Sequence, residues 1–455
     1  MQATLARIHR LNPQANAIVA LADGDALLAQ ADERDRQLAA GQSMGWLHGI
    51  PQAIKDTGQA TGFATTFGSP LLKGAMATVD SLYVARMKAA GCIVIGKTNM
   101  PEFGLGSHTY NPLFGPTPNP WDPAVSVGGS SGGAAAALAL RLLPVADGSD
   151  FMGSLRNPAG WTNTFGLRPS QGRVPAWPKP ELFVSQLGTD GPMGRSVRDV
   201  ARLLETQAGH DPRAPLSIRD PGARFVPDAK ASPRGLRIGW LGDLGGRLAM
   251  EDGVLAVCEQ ALQRLQAEGA VVEPLPLGFD ADSVWRAWLL WRRALVAPAV
   301  AAALAQPGAT REQVKPEALW ELDQAAGLSN ADFMRAAGVR TAFHQHLLKL
   351  FERVDLLALP TAQVWPFALG QTWPRQVAGR AMETYHQWME VTIYATFAGL
   401  PGISVPAGFH ANGRWPMGLQ LIGPPQGDAA VLHAAQAYAN TSAELLARRP
   451  ATIAA

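Results

Sequence analysis

The sequence predicts an α/β protein, a sheet covered by helices on both faces, and three observations lead there. Between residues 17 and 206, helix-patterned stretches alternate with short apolar runs such as AIVAL (17–21) and CIVIGK (92–97), separated by Gly, Pro and Ser loops. Strand-like segments return after the middle of the chain, at GLRIGWLG (235–242), DLLALP (355–360), GISVP (402–406) and MGLQLIG (417–423). Apolar residues are 47% of the 455 and charged residues 17%, enough to bury a substantial core.

Taken in order, SLYVARMKAA (81–90) carries apolar residues at helical spacing and stops at Gly91, a good helix C-cap. The next residues, GCIVIGKT (91–98), fit the phosphate-loop pattern G-x-x-x-x-G-K-[ST] and raise the possibility of a nucleotide-binding protein. A phosphate loop runs strand, loop, helix, and its middle residues turn their N–H groups onto a phosphate. Here those residues are Cys92, Ile93, Val94 and Ile95, three of them β-branched, and the order is helix, Gly, strand. A buried strand is therefore expected. Residues 210–232 carry four prolines and several charges and read as an excursion or linker. A helix-rich region then runs to about residue 352. It contains Trp285, Trp288 and Trp291, a stripe expected to pack in the core, with an aromatic substrate wall as the alternative. The longest apolar stretch, residues 294–305, is too short to span a bilayer and reads as a buried helix, apolar all round.

Several classes of function lose support at this level. The net charge is +2, with no long basic run, so nothing points to nucleic acid. Cys92 and Cys258 form no CxxC pair and are expected to be inert core thiols in a reducing compartment. The N-terminus (MQATLARIHRLNPQ) lacks a hydrophobic signal core, and a cytoplasmic protein is expected. No H-E-x-x-H is present, and His344 and His346 point to different faces of a helix, so no metal site is indicated; nor do Ser130 and Ser154 read as an α/β-hydrolase elbow.

The chemistry concentrates between residues 55 and 154. SVGGSSGGAAAALALRLL (126–143) places Ser130 and Ser131 among four glycines at the start of an alanine-rich helix. A second serine, Ser154, follows Gly153 in GSDFMGSLRNPAG. A serine nucleophile needs a proton acceptor, and a lysine serves if burial strips its charge. Lys55, after the compact apolar turn HGIPQAIKD (48–56), is the natural choice. Lys97 is the rival, and a solvated or salt-bridged lysine is the blander alternative for either.

Together HGIPQAIKD, GKTNMPEFG, NPWDPAVSVGGSSGGAAAALA, GSDFMGSLRNPAG, FGLRPSQGRVP, GTDGPMGRSVRDVA, GLPGISVPAG and MGLQLIGP occur in the order seen in the amidase signature family of serine amidohydrolases, which the chain resembles over most of its length. The resemblance implies a single α/β/α domain over residues 1–455 with a mixed, twisted central sheet. Residues 60–206 would be its core signature region and residues 282–387 a variable helical region building the substrate pocket. It also implies a Ser-cisSer-Lys triad with no cofactor and no metal: Ser154 as nucleophile, Ser130 after a cis peptide bond as proton relay, and Lys55 as base. The backbone N–H groups of Phe151, Met152, Gly153 and Ser154 would form the oxyanion hole, and an acyl-enzyme would form on Ser154. Ser131, Asp150 and Arg156 would support these loops, and Lys97 would fall in the G-K-T-N block. Many members have smaller residues where this chain has Phe151 and Met152, which implies a bulkier, more apolar nucleophile loop. With thirteen tryptophans, among them Trp365 and Trp415, this points to small hydrophobic or aryl amides, with esters or carbamates also accessible to the same acyl chemistry. The partner expected is a small-molecule substrate, with no nucleic acid and no membrane, and the chain a monomer or homodimer. The alternative is the glutaminase component of a glutamyl-tRNA amidotransferase complex, which resembles the same family.

Overall fold

A computed structural model describes residues 1–454. Its strands, in chain order, are β1 (Pro51–Lys55), β2 (Ile93–Thr98), β3 (Pro118–Asn119), β4 (Asp122–Ser126), β5 (Val145–Asp150), β6 (Phe165–Arg168), β7 (Thr189–Gly194), β8 (Arg237–Trp240), β9 (Val271–Pro274), β10 (Leu356–Pro360), β11 (Gln376–Val377), β12 (Arg380–Ala381), β13 (Gly402–Phe409) and β14 (Pro416–Ile422). Eight of them form one sheet in the order β5-β7-β6-β13-β14-β10-β8-β9. The pairs from β5 to β10 are antiparallel, and β10, β8 and β9 run parallel, so the sheet is mixed, as the resemblance implies. The central strands β13 and β14 are buried along almost their whole length, because helices cover both faces and neither face needs polar residues.

GCIVIGKT folds as its residue types predict. The helix Leu82–Ala89 ends at Ala90, Gly91 turns with φ 100°, and β2 follows, buried throughout. A Cβ at Gly91 would lie 2.6 Å from His48 Cα, so the turn needs glycine for space as well as conformation. β2 pairs in parallel with β1, but these two strands form their own ladder outside the eight-stranded sheet. Side chains bridge the gap. Gln52 Nε2 donates to Val145 O at 2.7 Å, and Asp147 Oδ2 accepts from the Lys55 amide at 3.1 Å, so β1 lies against the edge strand β5 without a backbone ladder.

Two expectations need correction. AIVAL is not a regular strand: Ile18 makes one isolated bridge to Thr98. Val19 N–H donates to Lys97 O and Ala22 N–H to Ile95 O, so three residues on one side span two on the other and the ladder cannot continue. The apolar stretch 294–305 ends the helix Ala281–Leu304 and includes its C-cap Ala305, and the helix is long and apolar enough to cross a membrane. It is not buried all round. Trp285, Trp288, Trp291 and Arg292 are buried, whereas Pro298, Ala299, Ala301 and Ala302 are exposed, because small alanine side chains cost little in water. Residues 210–232 contain no helix or strand but are pinned down: Phe225 is buried and Arg173 pairs with Asp220. Both cysteines are buried and unpaired with each other, and burial raises their thiols, that of Cys92 to about 12.

Candidate active site

Three loops meet at the edge of the sheet where β1 abuts β5. Lys55 closes β1, Ser130 and Ser131 precede the helix Gly132–Ala139, and Ser154 lies between β5 and the short helix Arg156–Gly160. The helix Gly132–Ala139 is built of Gly, Ala and one Leu and is wholly buried, and its small side chains let the Ser130 turn sit close to its neighbours. A Cβ at Gly133 would lie 2.3 Å from the Asn99 amide nitrogen and one at Gly132 would lie 2.2 Å from Thr109 Oγ1. The Gly129–Ser130 peptide bond is cis, and Gly129 O accepts from Ser107 Oγ at 2.6 Å.

Lys55 is fully buried, and its ammonium meets hydroxyls in place of carboxylates. Nζ donates to Ser130 Oγ at 2.8 Å, Ser131 Oγ at 2.9 Å and Ser149 Oγ at 2.9 Å, with Ser149 O further away at 3.4 Å. Burial lowers its pKa from 10.5 to about 7, partly offset by the charges of Asp190, Asp147 and Asp150. Asp147 is buried beside the Lys55 amide and accepts from Tyr83 Oη at 3.1 Å, and burial raises its own pKa to about 6.

The Ser154 loop is fixed by Asp150. Its carboxylate accepts from the amides of Gly153 (2.9 Å) and Leu155 (3.2 Å) and from Arg156 Nε and Nη2, both at 3.0 Å. Burial alone would raise Asp150, but Arg156 and Arg168 hold it well below the usual carboxylate range. Arg156 continues to Gln420 Oε1 on β14 and to Thr396 Oγ1, anchoring the loop to the sheet. Gly153 has φ 82°, and a Cβ there would lie 2.6 Å from Thr392 Cγ2.

The structure brings together Lys55, Ser130 and Ser131 by direct hydrogen bonds and joins Ser131 to Ser154 through the backbone, Ser131 N–H donating to Ser154 O at 3.2 Å. Among the described residues, no hydrogen bond joins the Ser130 and Ser154 hydroxyls. Of the four amides expected to face an oxyanion, that of Gly153 is already committed to Asp150, a correction to that expectation. Those of Phe151, Met152 and Ser154 donate to no group of the described residues. Lys97 lies elsewhere: its Nζ donates to Gly58 O at 2.5 Å and sits 3.8 Å from Asp56, the salt-bridged alternative. Met152 is buried, and Phe151 packs on Trp288 with ring centres 5.6 Å apart, so the tryptophan stripe is core that reaches the Ser154 loop. Trp365 and Trp415 pack on His410 instead. Among the described residues, no cluster of three or more His, Cys, Asp or Glu side chains is placed to hold a metal ion.

Sequence reasoning missed Asp147 and Ser149. The signal was there: they are two apart on β5, on the same face of a strand, and that face meets Lys55. Tyr83 carried no comparable signal.

A buried lysine among serine hydroxyls, beside a second serine loop with unpaired amides, suits acyl transfer. The family model described as Amidase matches residues 1–432, and the chain belongs to this family, the amidase signature enzymes, which hydrolyse carbon–nitrogen amide bonds. It is 36% identical over 469 residues to the A component of the glutamyl-tRNA(Gln) amidotransferase of Thermosynechococcus vestitus, covering 97% of this chain and 94% of the relative. It is also 36% identical over 440 residues to an acylamidase of Rhodococcus erythropolis, covering 95% and 90%. Among solved structures, a bacterial aryl acylamidase of the amidase signature family superposes with TM-score 0.90 at 32% identity, covering 99% of this chain and 94% of that one.

Proposed function

We propose that this enzyme hydrolyses small hydrophobic or aryl amides through an acyl-enzyme on Ser154, with Ser130 and Lys55 moving the proton. The observation that carries the reading is Lys55: buried, touching three serine hydroxyls, and held near pKa 7 so that it is neutral in mildly alkaline solution. Neutral Lys55 accepts the Ser130 proton while Ser130 accepts that of Ser154, and Ser154 Oγ attacks the amide carbonyl carbon. The Ser154 hydroxyl must reach Ser130 for this, and catalytic hydrogen bonds of this kind often tighten only with substrate bound. The Phe151, Met152 and Ser154 amides stabilise the oxyanion, each worth about 3 kcal/mol. The tetrahedral species collapses with cleavage of the C–N bond, and the amine leaves with the proton returned through Ser130. Water then attacks the ester by the same route, releasing the acid and restoring Ser154. Esters and carbamates fit the same sequence of steps.

Packing of Phe151 against Trp288 and the likeness to an aryl acylamidase support the apolar preference. A second reading, a glutaminase that works within a multi-protein amidotransferase, is favoured by the equal identity to the amidotransferase relative. A panel of p-nitroanilides, simple amides, an aryl carbamate and glutamine, run on wild type, Ser154→Ala and Lys55→Ala, separates them. Turnover of apolar substrates, abolished by both substitutions, is the result expected. Activity on glutamine alone favours the second reading, and intact activity in Ser154→Ala overturns the assignment of the nucleophile.

A further inference from the structure

Arg292, on the helix Ala281–Leu304, is 2% exposed and lies against the nucleophile loop. Its guanidinium carbon is 5.6 Å from the centre of the Phe151 ring, and Nη1 faces Met152 Sδ at 3.8 Å. Nε donates to Glu321 Oε1 at 2.5 Å and Nη2 to Tyr385 Oη at 2.6 Å, while Tyr385 Oη donates to the same Glu321 oxygen at 2.6 Å. A guanidinium has five N–H donors. Oxygens take two and a thioether, a weak acceptor, takes a third, which leaves two donors of a buried group without a partner. Glu321 Oε2 and both ring nitrogens of His386, which packs on Tyr385 with centres 4.6 Å apart, are unpartnered as well. Buried donors in native proteins are nearly always paired, with protein, water or ligand, so the spare N–H groups beside the Ser154 loop are free to serve an incoming acceptor. The loop 104–106 connects this cluster to the serines: a Cβ at Gly104 would lie 3.7 Å from Ser130 Oγ, and one at Gly106 would lie 3.8 Å from the Tyr385 ring.

We propose that Arg292, fixed by Glu321 and Tyr385, selects substrates by donating to an uncharged oxygen acceptor on the acyl part of the amide. This rests on the amidase reading and extends it to specificity. The acyl part is the portion that stays tethered to Ser154, beside Phe151 and Met152, after the amine has left. Charge decides the class of acceptor. Glu321 already balances Arg292, so a substrate carboxylate would bring an uncompensated buried charge, whereas an ether or carbonyl oxygen satisfies the spare donors and adds none.

The test compares kcat/KM for the p-nitroanilides of methoxyacetic and butyric acids, which have equal chain length and differ by an oxygen in place of a methylene. Their ratio is normalised to that of alkaline hydrolysis, which removes the intrinsic reactivity of the methoxy compound. Wild type is expected to exceed the chemical ratio by about tenfold or more, since a site built to hydrogen-bond an oxygen rejects the analogue without it. The double variant Arg292→Met/Glu321→Leu, which removes both charges together, is expected to fall back to the chemical ratio whatever its absolute rates. A loss of packing alone would lower both rates and leave the ratio in place. A double variant that keeps the wild-type ratio overturns the proposal. So does a wild-type ratio at the chemical value, which needs no folded variant. No Ser154-dependent hydrolysis of either anilide overturns the amidase reading and this inference with it.

Discussion

Lys55 is the residue on which the proposed chemistry turns, and its surroundings set its charge. Three hydroxyls solvate its nitrogen without neutralising it, so burial dominates and the pKa falls to about 7. Below that value Lys55 is protonated and cannot accept the Ser130 proton. The pH profile of kcat/KM is therefore expected to rise about tenfold per unit up to pH 7 and then level off. Lys55→Arg, which cannot deprotonate, is expected to be inactive at every pH. Linkage gives a second signature. Between pH 7 and 10.5 the unfolded chain binds a proton at Lys55 that the folded chain does not, so stability rises with pH across that window. Urea unfolding of wild type and Lys55→Met should diverge in slope there, with wild type gaining. Arg156 shows the opposite use of burial: it is half of a charge pair with Asp150, both fully buried. Arg156→Leu leaves that carboxylate with Arg168 alone, 3.5 Å away, and is expected to cost about 3–5 kcal/mol in chemical denaturation. The types of these residues were legible in the sequence; their pairing was not, because a hydrogen bond between residues 76 positions apart, as from Lys55 to Ser131, leaves no local pattern.

At the scale of elements, the nucleophile loop depends on Gly153. Its positive φ and the Thr392 methyl beside it leave no room for a side chain. Gly153→Ala is expected to cost about 1–3 kcal/mol of stability. It should also depress kcat more than KM, since the loop carries the amides proposed to face the oxyanion; thermal melts and steady-state kinetics on one preparation test both. The β5 strand shows what periodicity could reveal, with Asp147 and Ser149 on the face that meets Lys55. The helix Ala281–Leu304 shows its limit. Composition made it apolar all round, yet the sequence has no way to say which alanines face water when neighbouring elements decide it. Likewise GCIVIGKT was readable from β-branching and the helix–Gly–strand order, while AIVAL failed because its three-against-two register with β2 is set by tertiary contacts.

Across the whole molecule, the mixed sheet is a platform and β1 is hung from its edge by side chains, a joint no strand pattern predicts. Gln52→Leu removes one of the links between β1 and β5 and takes the Gln52 donor from Val145 O. The expected cost is about 1–3 kcal/mol, and hydrogen exchange should quicken at the amides of β1 more than in the central strands β13 and β14. Loosening that joint moves Lys55 relative to Ser130, so activity should fall with it. In the proposed reaction the sheet, the joint and the buried arginines all serve one covalent event, which can be observed directly. Mass spectrometry of the enzyme, acid-quenched while turning over an acyl p-nitroanilide and then digested, is the most direct measurement. The account predicts an acyl adduct on the peptide containing Ser154, lost in Ser154→Ala and strongly reduced in Lys55→Ala. An adduct on another residue, or undiminished turnover by Ser154→Ala, would contradict it.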